Sequence, residues 1–259
     1  MRKLLIAGNW KMNLTLAKSV DLASGLKKNF PADTSAQVAL IPTFVHLPAV
    51  HQIIQDTPMA LGAQDVYFEK PGAFTGEVST EMLREIGVQY VLVGHSERRH
   101  ILGEADPLLN KKLRAVIAEG LTAILCVGET LDQRKAGRTQ AVVGEQLNND
   151  LAQVSGEAIA AGHLVIAYEP VWAIGTGLTA TPTQAQEVHA FIRGQLSRLF
   201  GAALADQIQI QYGGSAKKAN AAELLAQPDI DGLLVGGASL IVEEFLGMVR
   251  AATGVKKSA

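Results

Sequence analysis

The sequence of 259 residues contains a single cysteine, Cys126, so no disulfide can form within the chain. Structural disulfides are typical of secreted proteins, and nothing in this sequence points to an oxidising compartment. Long apolar runs are also missing, since no stretch approaches the ~20 residues of a membrane-spanning helix. The apolar run at residues 4–7 is too short for a signal peptide, and we interpret it as a buried strand. We therefore expect a cytoplasmic protein with no membrane partner.

Neither sign of charge is in excess, because 23 basic and 25 acidic side chains give a formal net charge of -2. Broad nucleic-acid binding needs a basic face, so we expect no nucleic-acid partner, although a small local anion site stays compatible with this balance. The sequence also lacks zinc-like His and Cys spacing, a Walker-type loop and a Gly-x-Gly-x-x-Gly motif after its first apolar run. We expect no metal and no organic cofactor.

Short apolar runs alternate with amphipathic segments along the chain, and glycine or proline marks the turns between them. Runs with little internal alternation are typical of parallel strands that are covered on both faces. The predicted strands cover residues 4–7, 38–41, 60–62, 90–93, 123–127, 164–168, 208–212 and 232–235. The predicted helices include residues 17–26, 107–119, 183–199 and 240–252, with Gly120 ending the second and Thr181-Pro182 opening the third.

Eight strands that alternate with helices fit either a closed α/β barrel or a doubly wound open sheet. Periodicity does not choose between the two architectures. Polar residues cluster after several strands, and these strand ends meet only if the sheet closes or curls, which weakly favours a barrel. No linker or change of composition marks a domain boundary, so we predict one domain over residues 1–259.

Candidate functional residues follow the predicted strands, because parallel α/β folds bind ligands at the carboxyl ends of their strands. The pairs Gly213-Gly214 and Gly236-Gly237 follow the last two strands. Glycines let a backbone approach a phosphate closely, and free N–H groups at a helix start attract it. The alternative is that these glycines only form tight turns.

Glu169 and His95 are the candidate catalytic side chains. Glu169 ends an apolar strand and precedes residues 170–177, a small apolar segment with glycines near its end. Such a segment suits a lid that closes over a base, whereas a solvated loop carboxylate is the alternative interpretation. His95 follows Gly94 and begins a polar turn, which favours a ring that faces a site over a core histidine.

Six segments resemble the triosephosphate isomerase family and stand in that family's order over nearly the whole chain. They are Asn9-Trp10-Lys11-Met12-Asn13, Gly94-His95-Ser96-Glu97-Arg98-Arg99, Cys126-Val127-Gly128-Glu129-Thr130, residues 167–177, Tyr212-Gly213-Gly214-Ser215 and Val235-Gly236-Gly237-Ala238-Ser239-Leu240. The resemblance implies a single-domain (β/α)8 barrel that acts as a homodimeric isomerase. Its reaction would interconvert dihydroxyacetone phosphate and D-glyceraldehyde 3-phosphate through an enediolate, in glycolysis and gluconeogenesis.

The resemblance also implies a role for each matching position. Glu169 matches the family's base and His95 its neutral electrophile. Lys11 matches the cation of the site and Asn9 the polar partner beside it, and both are expected to contact the substrate. Glu97 matches a carboxylate at the floor of the site. The phosphate contacts implied by the resemblance are Gly175 in the lid, Ser215, Gly236 and Gly237.

A long connection, residues 64–77, follows the third predicted strand and resembles the family's loop that docks into a second subunit. A loop of this length usually has a function or a partner. We predict that it inserts beside the site of an identical subunit, with Thr75 at its tip supporting that site. Glu77 is expected to pair with an arginine such as Arg98 across the interface.

Two rival functions share part of this pattern. Another barrel enzyme would keep the glycines for a different phosphate but would lack the set of Lys11, His95 and Glu169. A metabolite-binding or adhesion protein would show erosion at those three positions, and the sequence shows none.

Overall fold

The computed structural model describes residues 2–174 and 179–255, within which eight parallel strands form one closed barrel. Each strand pairs with its neighbours in chain order, and the first strand pairs with the last from Leu5 opposite Gly232 to Gly8 opposite Val235. The strands are β1 (Leu5–Asn9), β2 (Gln37–Ile41), β3 (Met59–Ala63), β4 (Val88–Val93), β5 (Thr122–Val127), β6 (Leu164–Tyr168), β7 (Gln209–Tyr212) and β8 (Gly232–Val235). The predicted single-domain (β/α)8 TIM barrel is confirmed, and the open sheet is excluded.

Helices surround the barrel. The α-helices of the described residues are α1 (Leu16–Lys28), α2 (Leu47–Ile54), α3 (Thr80–Glu85), α4 (Ser96–His100), α5 (Asp106–Ala118), α6 (Leu131–Lys135), α7 (Thr139–Asp150), α8 (Gly156–Ala160), α9 (Pro182–Phe200), α10 (Ala202–Ala205), α11 (Lys218–Leu225) and α12 (Val242–Ala252). Short 3-10 helices cover Phe44–His46, Val171–Ala173 and Gly237–Leu240. None of the helices described is both long and apolar enough to cross a bilayer.

The helix boundaries follow local capping chemistry. At the start of α9, the Thr181 hydroxyl accepts the Gln184 N–H while the Gln184 side chain accepts the Thr181 N–H, as the start signal predicted. Gly120 follows α5 with a φ of 77°, a left-handed conformation that glycine adopts without strain. The predicted start of the last helix is wrong by two residues, because extended Ile241 separates the Gly237–Leu240 turn from α12.

The barrel wall is buried on both faces. Large aliphatic side chains fill the layer between the strands and the helices, and a second cluster fills the barrel interior. That inner cluster consists of Leu5, Ala7, Ala39, Ile41, Ala60, Tyr90, Leu92, Ile124, Cys126, Val165, Ala167 and Leu234. Because burying one Leu or Ile side chain contributes about 1.5–3 kcal/mol, the wall is a stable support for the loops at its carboxyl ends.

Candidate functional site

A cavity of about 360 Å³ opens at the carboxyl ends of the strands. Its lining combines apolar side chains, glycines and a few polar groups: Asn9, Lys11, Asn13, His95, Glu169, Ile174, Gly213, Gly214, Ser215, Ala216, Lys217, Leu234, Gly236, Gly237, Ala238 and Leu240. The structure thus brings together seven of the predicted site residues, from Asn9 to Gly237. Glu97 reaches this group through Lys11. Gly175 lies outside the described residues.

Glu169 directly follows β6, and its carboxylate is almost fully buried. Its backbone N–H donates to the Val127 carbonyl at 2.8 Å, which continues the pairing of β5 with β6 beyond the strand end. One carboxylate oxygen accepts the Ser96 N–H at 2.9 Å, and the other lies 2.9 Å from His95 Nε2. The side chain is therefore held by two donors from the loop that follows β4.

These contacts determine the charge of Glu169. Burial raises the pKa of the carboxyl group, but His95, the Ser96 N–H and the nearby Lys11 lower it by more. The resulting pKa lies below its ordinary value, so Glu169 is a carboxylate at neutral pH and is able to accept a proton.

His95 caps the short helix α4 with its own ring. Nδ1 accepts the Glu97 N–H at 3.2 Å, so Nδ1 carries no proton and Nε2 carries the one that faces Glu169. Burial lowers the pKa of His95, but the Glu169 carboxylate raises it by more. A second proton would have to sit on Nδ1, where the Glu97 N–H already points. The hydrogen-bond pattern is therefore that of a neutral ring with Nε2–H as a donor.

Lys11 has a backbone φ of 52°, a left-handed conformation that is uncommon for a residue with a side chain. Two side chains hold this backbone in place. The Asn9 side-chain oxygen accepts the Lys11 N–H at 3.0 Å, and the Gln64 amide donates to the Lys11 carbonyl at 2.8 Å and to the Ile41 carbonyl at 3.0 Å. The strained backbone directs the lysine to the site, where Nζ lies 2.6 Å from a Glu97 oxygen.

The opposite end of the cavity is built from backbone groups after β7 and β8. The 3-10 helix Gly237–Leu240 begins there, and its Ser239 hydroxyl donates to the Gly236 carbonyl at 2.7 Å. Gly214 has no room for a side chain, because a Cβ would lie 2.3 Å from the Tyr212 hydroxyl oxygen. A Cβ on Gly237 would meet nothing within 4 Å, so open space adjoins this glycine. The arrangement offers backbone N–H groups to an anion.

A buried carboxylate anchors the start of the predicted lid. Glu129 accepts the Tyr168 hydroxyl at 3.0 Å, the Trp172 indole N–H at 3.0 Å and an Arg134 guanidinium N–H at 3.1 Å. Its carbonyl also accepts the Val171 N–H at 3.1 Å. These bonds attach the first residues after Glu169 to the loop after β5.

The predicted dimer loop projects from the barrel after β3. Thr75 and Glu77 are exposed, and Phe74 is 39% exposed with its ring centroid 4.9 Å from that of Tyr67. Arg98 is engaged within its own chain, with Nη2 2.7 Å from a Glu104 oxygen. The pair between Glu77 and Arg98 across an interface stays a prediction.

Several residues of the site had no predicted role. Ser96 orients Glu169 through its backbone N–H, which no side-chain pattern reveals. Gln64 was predicted only as part of the dimer loop, and Glu129 only as part of a family motif. Lys217 lines the cavity as a second cation. It lies three residues after the predicted Gly213-Gly214 turn, and that proximity could have indicated it. Of the residues that the structure describes, no group of three or more His, Cys, Asp and Glu side chains is arranged to hold a metal ion.

Chemically, the cavity combines the Glu169 carboxylate, the His95 ring and the Lys11 ammonium group at one end with glycine-rich backbone at the other. Comparisons with known proteins show which family the chain belongs to. The family model described as triosephosphate isomerase matches residues 4–252. A protein named triosephosphate isomerase from Rhodopirellula baltica is 50% identical over 251 residues, which cover 97% of this chain and 98% of the relative.

Two further relatives carry the same name. The protein from Carboxydothermus hydrogenoformans is 53% identical over 250 residues, covering 96% of this chain and 99% of its own length. The protein from Chlorobium phaeovibrioides is 50% identical over 253 residues, covering 97% and 100% of the two chains. These matches span almost the entire barrel. The chain therefore belongs to the triosephosphate isomerase family, the isomerases that interconvert dihydroxyacetone phosphate and D-glyceraldehyde 3-phosphate.

Proposed function

We propose that Glu169 is the base by which this glycolytic isomerase interconverts dihydroxyacetone phosphate and D-glyceraldehyde 3-phosphate. The observation that supports this role is the convergence of Glu169, His95 and Lys11 in one cavity that ends in a glycine-rich corner. A carbon acid beside a carbonyl is weak, so a base alone does not suffice. The reaction also needs a group that stabilises the negative oxygen of the enediolate.

In the proposed reaction, Glu169 removes a proton from the carbon next to the carbonyl. The electron pair of that C–H bond forms a carbon–carbon double bond, and the carbonyl oxygen takes up the negative charge. The proton then returns to the neighbouring carbon, and the hydroxyl proton on the first carbon passes to the oxygen of that neighbouring carbon. A carbonyl thereby forms at the first carbon, which completes the isomerisation. General base catalysis typically contributes about 10²–10⁴-fold, so Glu169 supplies only part of the acceleration.

We assign the stabilisation of the oxygen to the Nε2–H of His95 and to the positive potential of Lys11, with Asn9 supporting Lys11. One oxyanion donor is worth about 10²–10³-fold. Because Nε2–H faces Glu169 at 2.9 Å, substrate has to separate the two groups and take up both. Glu97 is proposed to keep Lys11 oriented at the floor of the site.

The phosphate is proposed to bind at Ser215, Gly236 and Gly237, with Gly175 of the lid as a further contact. The phosphate does not react, so its binding energy can close the lid and align the reacting carbons. Water exclusion then limits loss of phosphate from the enediolate.

We also propose that the chain acts as a homodimer in the cytoplasm. Large apolar side chains lie exposed in the segments that follow β1, β2 and β4, with Met12 95%, Val45 77% and Ile101 76% exposed. Exposed apolar side chains in neighbouring loops suit an interaction surface, and a two-fold homodimer is the commonest closed assembly. The exposed loop tip with Thr75 is the element proposed to reach the partner subunit.

Glu169→Asp tests the proposed base. The substitution keeps the carboxylate but retracts it by one C–C bond, about 1.5 Å. Misplacement of this size costs roughly 10²-fold in kcat, with little change in KM, because it mainly affects the transition state. Glu157→Asp makes the same change on exposed α8 and serves as the control. A kcat within about threefold of wild type for Glu169→Asp would show that the assignment is wrong.

A further inference from the structure

Arg99 connects the candidate catalytic loop to the outer helices. It lies on α4, four residues after His95, and its side chain is only 7% exposed. Nε donates to the Gly94 carbonyl at 2.9 Å, and Nη2 donates to the Cys126 carbonyl at 2.9 Å. The guanidinium therefore holds the end of β4, directly before His95, against the end of β5.

The position of Gly94 depends on this contact. Its φ of 72° is left-handed, and a Cβ there would lie 2.9 Å from Arg99 Nη2. The chain thus turns toward His95 at a point where the backbone lies directly against the guanidinium. The hydrogen bond from Arg99 to Cys126 also affects Glu169, because the Val127 carbonyl next to Cys126 accepts the Glu169 N–H. A displacement of the guanidinium would move the supports of both groups.

Two carboxylates neutralise Arg99 from the outer side. Asp150, the last residue of α7, is fully buried, and its Oδ2 lies 2.5 Å from Nη2. Asp106, the first residue of α5, accepts from Nη1 at 2.7 Å but is 25% exposed. Water can replace an exposed partner, whereas nothing can replace a fully buried one. Asn110 also donates to the Asp150 backbone carbonyl at 2.8 Å, which keeps α7 in register with α5.

We propose that Asp150 is a positioning residue for the isomerase reaction: it holds Arg99 against Gly94 and Cys126 and thereby keeps His95 aligned with Glu169. The inference rests on the proposed roles of His95 and Glu169. It assigns to an outer helix a part in the alignment of the reacting groups. The substrate does not contact Asp150, so its effect is on orientation and not on binding.

The test compares Asp150→Asn with Asp106→Asn in the full-length protein, at pH 8, with D-glyceraldehyde 3-phosphate as the substrate. Both variants replace one carboxylate partner of the same guanidinium by an amide of equal size. Asp150→Asn is expected to lower kcat about tenfold with KM within about twofold, because the corner proposed to bind phosphate lies on other strands. Asp106→Asn is expected to keep both constants within about twofold of wild type.

A second readout separates positioning from stability. The ring nitrogens of His95 are followed by 15N NMR, since the Nδ1 bond to the Glu97 N–H reports the ring orientation. Asp150→Asn should shift these signals and Asp106→Asn should not. A wild-type kcat for Asp150→Asn, or a lowered kcat with unchanged His95 signals, would overturn the proposal.

Two additional variants complete the experiment. If Asp150→Asn does not fold, Arg99→Lys is measured, because lysine keeps the charge but cannot bond both carbonyls as the guanidinium does. The same fall in kcat with constant KM is expected, and full activity would refute the proposal. His95→Gln tests the proposed function separately: unchanged kcat in that variant would refute the role of His95 itself, whereas a large loss beside an active Asp150→Asn would refute only the role of Asp150.

Discussion

Gly237→Ala probes the proposed phosphate corner without disturbing the fold. Gly237 lines the cavity, and a Cβ at this position would meet no atom within 4 Å. Its φ also lies outside the left-handed region, so alanine adopts this backbone without strain. The free energy of unfolding should stay within about 0.5 kcal/mol of wild type, as for other substitutions that touch nothing. Any change in activity or inhibition then reflects altered binding of the phosphate and not a loss of stability.

The expected effect on anion binding follows from the hydrogen bonds at stake. A methyl group in the open space beside the 3-10 helix Gly237–Leu240 would push a phosphate away from the N–H groups. A hydrogen bond to a charged group contributes about 1.5–3 kcal/mol, and each 1.4 kcal/mol changes affinity about tenfold. The inhibition constant of inorganic phosphate should therefore rise roughly 10- to 150-fold.

Competition by inorganic phosphate is measured in the isomerase assay, with KM for the substrate recorded in parallel. Gly194→Ala is the matched control, because a Cβ there also meets nothing within 4 Å and the residue lies on α9, outside the cavity lining. An unchanged inhibition constant in Gly237→Ala would place the phosphate elsewhere. A similar rise in Gly194→Ala would show that the effect is not local.

Replacement of residues 73–77 by a short polar turn should abolish both the dimer and most of the activity, and sedimentation that shows a fully active monomer would contradict the proposed docking. Tyr168→Phe removes the hydroxyl that donates a hydrogen bond to the Glu129 carboxylate at 3.0 Å. The free energy of unfolding, measured by urea titration, should therefore fall by about 1.5–3 kcal/mol. Burial raises the pKa of Asp150 from 3.8 to about 7, so the folded chain retains a proton that the unfolded chain loses as pH rises between these values. The stability that this proton contributes is lost as pH rises to about 7. Between pH 5 and 8, the free energy of unfolding should therefore fall more for wild type than for Asp150→Asn, by roughly 2 kcal/mol. The same pH dependence of the free energy of unfolding in both proteins would refute this.

The sequence predicted the strands well because strand burial leaves a local signature. The bounds of β6 and β8 agree with the predicted residues, since both runs are apolar and end at residues with clear turn or site character. The first strand was predicted to end at Ala7, whereas β1 continues to Asn9. Asn9 is polar but buried, so its strand position depends on pairing with β2, which a local pattern does not contain.

Barrel closure and the geometry of the site depended on contacts between distant residues. Closure requires Leu5 to pair with Gly232, and no local periodicity encodes a pairing across the whole chain. The family resemblance named Glu169 and His95, but it did not indicate that the Ser96 N–H donates to the Glu169 carboxylate. Asp150 had no predicted role, because its burial against Arg99 depends on the packing of α7 against the loop that follows β4.

The hydrogen bonds around Glu169 have a consequence for isotope tracing. Between turnovers, the carboxylate accepts one N–H from Ser96 and one from His95, and its lowered pKa leaves it without a proton at neutral pH. If Glu169 is the base, a deuteron that it takes from one substrate molecule and does not return to that molecule passes to water before the free enzyme returns to this arrangement. Label removed in one catalytic cycle will not reappear in the product of the next, and the fraction retained in a product measures only how fast the bound intermediate exchanges with solvent.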